Sequence, residues 1–366
     1  MKKIGIFTYM QNNYGAVLQA YALQHYIRSH SDHDVETINF TTPEHEKGNK
    51  VIQIPKGNIF YRVVFLLLQL FYYPSLKRRS DRIVDFKKQY MKFSDRHSEM
   101  AELLSNPPQK DIYISGSDQV FNPNGKYYPI YYLGFEKGVG KKIAYAPSFG
   151  ISQFDNKIRG KISKYLYDFD ALSCREQVGA EFISSIVKDT VPTVVDPTML
   201  LSKQEWQDIA VKPQIRSKYI FIYDLNGAEK LVAIAKKIQS KTQLPIVCLT
   251  RKVQKFYKVD KQIYDAGPAE FVGWIANAEY VVTDSFHGTV FSTIFKRNFY
   301  SYIATPSTAS RIQTLLSSLN LNDRLIPNNM VAQFLNQNDL SPCTYTVDID
   351  TISLESKEYI YNHIIL

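Results

Sequence analysis

The sequence predicts an α/β protein built on two parallel sheets. Short, almost wholly apolar segments recur along the chain, helix-period segments separate them, and the alternation restarts near residue 217. The length agrees, because 366 residues exceed what one ordinary core holds. With 45% hydrophobic and 22% charged residues, the composition is that of a globular chain.

The first strand is Lys3–Tyr9, followed by a helix over Ala16–Arg28 and a second strand at Val35–Phe40. Residues 43–105 break the rhythm and read as a helical insertion. Strands resume at Asp111–Ser115 and Lys142–Ala146, with a helix over about 155–167. Ala171–Cys174 then leads into a helix from Glu176, and Thr193–Val195 precedes Asp196-Pro197. A linker over 200–217 separates this half from the next. There Tyr219–Tyr223 runs into Asp224-Leu225-Asn226-Gly227 and a helix over 228–240. Pro245–Leu249, Tyr280–Thr283 and Phe299–Ile303 are strands, and Pro268–Asn277, His287–Phe295 and 307–318 are helices. The expected division is a Rossmann-like domain over 1–200, with its insertion at 43–105. A second such domain covers 217–330, and a tail over 331–366 has no assigned packing.

Charge and cysteine content narrow the function. The formal net charge is +9, which suits nucleic acid, an anionic membrane or an anionic small substrate. The basic residues are dispersed and no nucleic-acid signature is present, which argues against the first. Three cysteines, Cys174, Cys248 and Cys343, are too few and too scattered for a disulfide framework or a metal cluster. The apolar stretch at the start is too short for a signal peptide and is followed at once by Gln11-Asn12-Asn13, so a cytoplasmic protein is expected. Residues 63–73 are about half the length of a membrane span. They read either as a core helix or, with Lys77-Arg78-Arg79, as a helix lying on the inner face of an anionic membrane through residues 59–79.

In open parallel sheets, ligands bind beyond the carboxyl ends of the strands. The candidates are therefore the polar residues there: Asn12, Asn13, Gly15, Ser117, Asp118, Ser148, Arg175, Asp196, Asp284, Ser285 and His287. Thr283-Asp284-Ser285-Phe286-His287-Gly288-Thr289 is the most informative run. A buried strand ends in a polar turn, a helix starts, and its N-terminus is an anion site with a histidine beside it. The alternative is a capping turn, with Ser285 as N-cap and His287 exposed. Arg175 can clamp an anion with two parallel hydrogen bonds or form a surface pair with Glu176. Asp118 follows a glycine turn and is either a base or a cap. Asn13 and Gly15 open the first helix, a second anion-capable terminus. No P-loop or metal-ligand spacing occurs.

Taken in order, these pieces resemble the polysaccharide pyruvyl transferase family. The matching segments are Asn13-Tyr14-Gly15-Ala16, Gly116-Ser117-Asp118-Gln119-Val120-Phe121-Asn122-Pro123 and Tyr145-Ala146-Pro147-Ser148-Phe149-Gly150. They continue with Ser173-Cys174-Arg175-Glu176, Asp196-Pro197-Thr198, Asp284-Ser285-Phe286-His287-Gly288-Thr289 and Ser310-Arg311-Ile312. The set spans residues 5–325. Phe121 departs from the tryptophan common in the family. The resemblance implies two Rossmann-like domains facing across a cleft, similar to GT-B glycosyltransferases. It also implies transfer of pyruvate from phosphoenolpyruvate to two hydroxyls of a sugar in a polysaccharide or lipid-linked precursor, giving a ketal and phosphate. On this reading His287 is the catalytic acid and Asp118 stands near the acceptor. Arg175, Arg311 and the Gly288-Thr289 amides hold the donor, and Ser285, Asn13, Gly15 and Ser117 are further substrate-binding residues. His287 and Arg175 are expected to face each other, and no metal or organic cofactor is implied. A nucleotide-sugar-dependent GT-B glycosyltransferase is the alternative. Such enzymes often carry a Glu-x7-Glu pair in the second domain, and Glu270 is followed at that spacing by Ala278.

Overall fold

The computed structural model describes residues 1–10, 13–136, 140–226, 229–304 and 306–366. Gln11, Asn12 and Gly227, named above, and the first residue of the helix expected over 228–240 lie outside these. The chain forms two compact units: residues 1–46, 87–201 and 350–366 make the first, and residues 47–86 and 202–349 the second. The 43–105 stretch is therefore divided, with 47–86 packing in the second unit. The tail is divided as well: its last helix, Ile349–Ile360, sits in the first unit, where Tyr359 donates to the Ala144 carbonyl at 3.0 Å and Ser356 accepts from the Val195 amide at 2.9 Å. The expected linker holds a helix, Lys203–Ile209, opened by a Ser202/Glu205 capping box.

The first unit contains one parallel sheet: β1 Lys3–Phe7, β2 Asp34–Phe40, β3 Phe93–His97, β4 Ile112–Ser115 and β5 Lys141–Ala144, in the order β3-β2-β1-β4-β5. β1 lies between β2 and β4 and is buried from Ile4 to Phe7 on both faces, which matches its sequence, Lys-Ile-Gly-Ile-Phe, apolar almost throughout. β3, Phe-Ser-Asp-Arg-His, is an edge strand, half-exposed and polar, and is not anticipated by the sequence. Ala171–Cys174 and Thr193–Val195 form only isolated bridges, Ile143 with Ala171 and Cys174 with Thr193. The core is ring-rich, as the high Tyr and Phe counts suggest. Phe121, where a tryptophan is common in the family, stacks on Tyr132 with centroids 4.2 Å apart and planes 9° apart, and is fully buried.

The second unit contains β6 Ile220–Asp224, β7 Ile246–Thr250, β8 Lys261–Ile263, β9 Tyr280–Thr283, β10 Asn298–Ile303 and β11 Leu325–Pro327. Their order is β11-β10-β9-β6-β7-β8, again all parallel. This is the doubly wound order of a dinucleotide-type fold. In each sheet the chain winds outward in one direction, returns to the centre and winds outward in the other. The reversal falls between β1 and β4 in the first unit and between β6 and β9 in the second. Loops diverge there, and the crevice they leave at the strand C-ends is where such sheets bind ligands.

Candidate active site

At the first reversal, β1 and β4 deliver Thr8, Ser117 and Asp118. Thr8 Oγ1 donates to the Ser117 carbonyl at 2.8 Å and accepts from Gln19 Nε2 at 2.9 Å, which ties the first helix to both strands. Arg175 enters from the segment that follows β5. Its Nη1 donates to Asp196 Oδ2 at 2.6 Å and to Ser117 Oγ at 3.3 Å, and its Nη2 stands 3.9 Å from Asp118 Oδ1. Asp196 also accepts from the Thr198 amide and hydroxyl at 3.0 and 2.7 Å. Arg175 is 4% exposed and Asp196 1%, so this is a buried charge network and not the Arg175–Glu176 surface pair. Glu176 faces elsewhere, accepting from the Ser148 hydroxyl and from the Cys174 thiol. Burial pushes the Cys174 thiol well above its ordinary value, so it packs as a small apolar side chain.

Asp118 is held in an unusual backbone state, with φ 71° and ψ −170°. That region is essentially glycine's, and its occupation by other residues costs on the order of 1–3 kcal/mol and concentrates at functional sites. Neighbouring Ala146, at φ 54°, is also in the left-handed half, and a bridge joins Asp118 to Pro147. The Asp118 carboxylate caps the Gln119 amide at 2.9 Å.

Beside Asp118 a cavity of about 320 Å³ opens, lined by Tyr9, His45, Gln119, Asn122, Tyr127 and Tyr131 among others. Burial, reinforced by the Asp118 charge, raises the Tyr9 hydroxyl above its ordinary value. Burial pulls the His45 imidazole down, against the opposing charge of Glu44. Tyr127 donates to Glu44 at 2.8 Å and meets His45 edge-on at 5.0 Å. Of these, Gln119 and Asn122 lie in the matching run after Asp118, whereas His45, Tyr127 and Tyr131 do not stand out in the sequence. Tyr9 ends the predicted first strand and is the one signal that strand-end reasoning could have used. Lys87 also joins this end of the sheet, its ammonium donating to the Met10 carbonyl at 3.1 Å.

At the second reversal, Asp224 ends β6 and Asp284 follows β9. Asp284 accepts from the Leu225 amide at 2.9 Å and from the Asn226 amide and side chain at 3.0 and 2.9 Å, which fixes the loop after β6. Burial, aided by Asp224, raises its carboxyl above the ordinary range against those hydrogen bonds. Asp224 accepts from Thr250 at 3.1 Å and Tyr257 at 2.8 Å. Ser285 caps the helix Phe286–Ile294 by accepting from the Gly288 amide at 3.3 Å. The Thr289 amide donates to the Ser285 carbonyl at 3.0 Å, and its hydroxyl meets Ser301 Oγ at 2.6 Å. These two amides are engaged within the turn, which corrects the expectation that they clamp a ligand. Gly288 is required for a local reason: a Cβ there would lie 2.5 Å from Thr283 Oγ1.

His287 is 6% exposed, not a surface residue, and its ring meets Phe286 edge-on at 5.2 Å. The Arg311 guanidinium lies over the other partner of that pair, 5.9 Å from the Phe286 ring centroid, so this cation stands with the histidine turn. Asn13 and Gly15 likewise bond to each other, Gly15 N to Asn13 Oδ1 at 3.1 Å, as the cap of the helix Tyr14–Ser29. Glu270 accepts from the Gly267 amide and pairs with Arg82 at 3.1 Å, which makes it a helix cap. Among the described residues, no group of three His, Cys, Asp or Glu side chains is placed to hold a metal ion.

Comparison with known proteins places this arrangement. Solved structures of similar fold include a putative UDP-N-acetylglucosamine 2-epimerase from Listeria monocytogenes, with TM-score 0.51, 9% identity and coverage of 99% of this chain and 96% of that one. The UDP-GlcNAc 2-epimerase of Methanocaldococcus jannaschii gives 0.50 at 11% identity over 98% and 99% of the two chains. S. aureus MnaA, in its UDP co-structure, gives 0.52 at 11% over 100% and 96%. At such identities the likeness speaks for the fold alone, and it agrees with the expected GT-B-like pair of parallel-sheet domains. No curated protein matches the sequence. The family signature of polysaccharide pyruvyl transferases matches residues 13–305, a stretch that holds Asp118, Arg175 and His287, and the chain belongs to that family.

Proposed function

We propose that the protein transfers pyruvate from phosphoenolpyruvate to two hydroxyls of a sugar in a polysaccharide or lipid-linked glycan precursor, releasing phosphate and leaving a cyclic ketal. The observation that carries this reading is the family match together with the placement of its polar motifs at the reversal points of both sheets. His287 protonates the methylene carbon of the enol, which makes the adjacent carbon electrophilic. A sugar hydroxyl attacks that carbon and gives its proton to Asp118. Phosphate then leaves with the electron pair of its C–O bond, and a second hydroxyl closes the ring as it returns its proton to the His287 imidazole. Arg311 is the cation for the donor's phosphate or carboxylate. Arg175 is a positioning residue, because its guanidinium is tied to Asp196 and Ser117 and orients Asp118. The tyrosine-lined cavity beside Asp118 suits an acceptor sugar, with ring faces for its C–H surface and Gln119 and Asn122 for its hydroxyls. The protein acts where its glycan precursor is assembled, and no metal or organic cofactor takes part.

The test is phosphate release from phosphoenolpyruvate in the presence of a panel of glycan acceptors. Release should depend on the acceptor and fall by about 10²–10⁴-fold in His287→Ala, the usual weight of a general acid, with an unchanged melting temperature. Undiminished ketal formation by a folded His287→Ala protein rejects the assignment of the acid. Thermal stabilisation by UDP- or GDP-sugars and not by phosphoenolpyruvate would instead favour a nucleotide-sugar glycosyltransferase.

A further inference from the structure

We infer that residues 59–79 form a docking surface for an anionic lipid bilayer. The helix Ile59–Phe71 has 13 residues, of which Arg62 alone is charged. Most of its side chains stay out of a core: Ile59, Phe60, Leu67, Leu70 and Phe71 are 57–77% exposed, Leu68 packs partly against Leu76, Val253 and Tyr264, and Gln69 is its one buried residue. Soluble proteins seldom expose contiguous apolar patches beyond roughly a few hundred Å² unless something covers them. The helix is nonetheless fastened. The Gln69 amide brackets the Gln53 backbone, accepting from its N–H at 2.8 Å and donating to its carbonyl at 2.7 Å. After a 69° bend the next helix, Tyr73–Tyr90, anchors the base of the pair: Leu76 packs with Val253 and Tyr264, Tyr72 meets the Tyr264 ring at 4.6 Å, and Arg78 pairs with Asp265 at 3.1 Å. An apolar face held out by a fixed base calls for a covering partner.

Charge says which partner. From Lys50 to Ser80 the chain has six bases, Lys50, Lys56, Arg62, Lys77, Arg78 and Arg79, and no acid. Even with Lys77 and Arg78 matched to Asp81 and Asp265, the segment keeps a positive surplus. Among the described residues no single helix is long and apolar enough to cross a membrane, and 13 residues fall short of the roughly 20 a span needs. A short, strongly apolar helix with aromatic residues toward both ends and bases beside it matches the chemistry of a helix lying in the headgroup boundary. This inference does not depend on the proposed reaction.

The experiment sediments the full-length protein with phosphatidylcholine vesicles, with and without a third of phosphatidylglycerol. Wild type should partition onto the anionic vesicles and weaken as salt rises. The triple variant Phe60→Ser, Leu67→Ser, Phe71→Ser should bind at least tenfold more weakly while melting like wild type, since all three side chains are exposed. Lys56→Glu with Arg62→Glu should lose the preference for phosphatidylglycerol. Equal sedimentation of wild type and triple variant overturns the proposal, as does equal binding to neutral vesicles. A dimer in light scattering that the triple variant abolishes, without vesicle binding by wild type, assigns the face to a second copy and also overturns it.

Discussion

The two sheet reversals solve the same problem with different forces. At β1/β4 the site is organised by charge: a buried guanidinium, a buried carboxylate against it, and Asp118 in a backbone state that its surroundings enforce. At β6/β9 it is organised by hydroxyl caps and close contact: Thr283, Ser285, Thr289 and Ser301 satisfy one another, and Gly288 lies against Thr283. The lesson is that the positions fixed by the fold are alike, whereas the sensitivities are not. The first reversal should respond most to loss of its buried ion pair, the second to added volume.

The largest expected effect follows from removing the counter-charge. Asp196→Ala leaves Arg175 buried without its carboxylate, and breaking one side of a buried pair costs about 3–5 kcal/mol in denaturant unfolding. Replacing both residues with apolar ones should recover much of that loss. If the single variant unfolds like wild type, charge is not what holds this reversal. Next comes Gly288→Ala, whose methyl meets Thr283 Oγ1, itself tied to the Tyr223 carbonyl and the Ser285 amide. A penalty of about 1–3 kcal/mol is expected, partly relieved by Thr283→Ala in a double-mutant cycle. Additivity of the two changes would show that the contact is not the cause. A smaller difference separates Asp118→Gly from Asp118→Ala. Both should lose activity, but the glycine variant should be more stable by about 1 kcal/mol, because it tolerates the φ that alanine does not.

The smallest effect is a slope in pH. Burial brings the Lys87 ammonium down from 10.5 to about 8. Between those values the folded chain binds fewer protons than the unfolded one, so stability should rise with pH across that window, with the full penalty present below it. Lys87→Gln, which keeps a donor for the Met10 carbonyl, should flatten the slope measured by unfolding at several pH values. An unchanged slope would place its origin elsewhere.

What the sequence shows and what it conceals divide along physical lines. β1, β4, β6 and β9 are central strands covered on both faces, so their apolar runs are unmistakable, and Tyr280–Thr283 is placed to the residue. β3, β8 and β11 are edge strands of three to five residues whose pairing comes from a neighbour, so no local period marks them. The candidate residues are legible because strand ends are legible. Their partners are not: Arg175 turns to Asp196, 21 positions away, in preference to adjacent Glu176. The apolarity of 63–73 is equally plain, but apolarity alone does not say whether a helix faces a core or the outside.

The return of residues 350–366 to the first unit has a consequence for synthesis on the ribosome. The second unit can close once residue 349 has emerged, although its earliest piece, 47–86, must wait through the whole of 87–201. The first unit, whose strands are made first, cannot finish until Ser356 and Tyr359 reach Val195 and Ala144. The half that begins the chain is thus the last to fold. A fragment ending at residue 201 would lack a piece of its own interior.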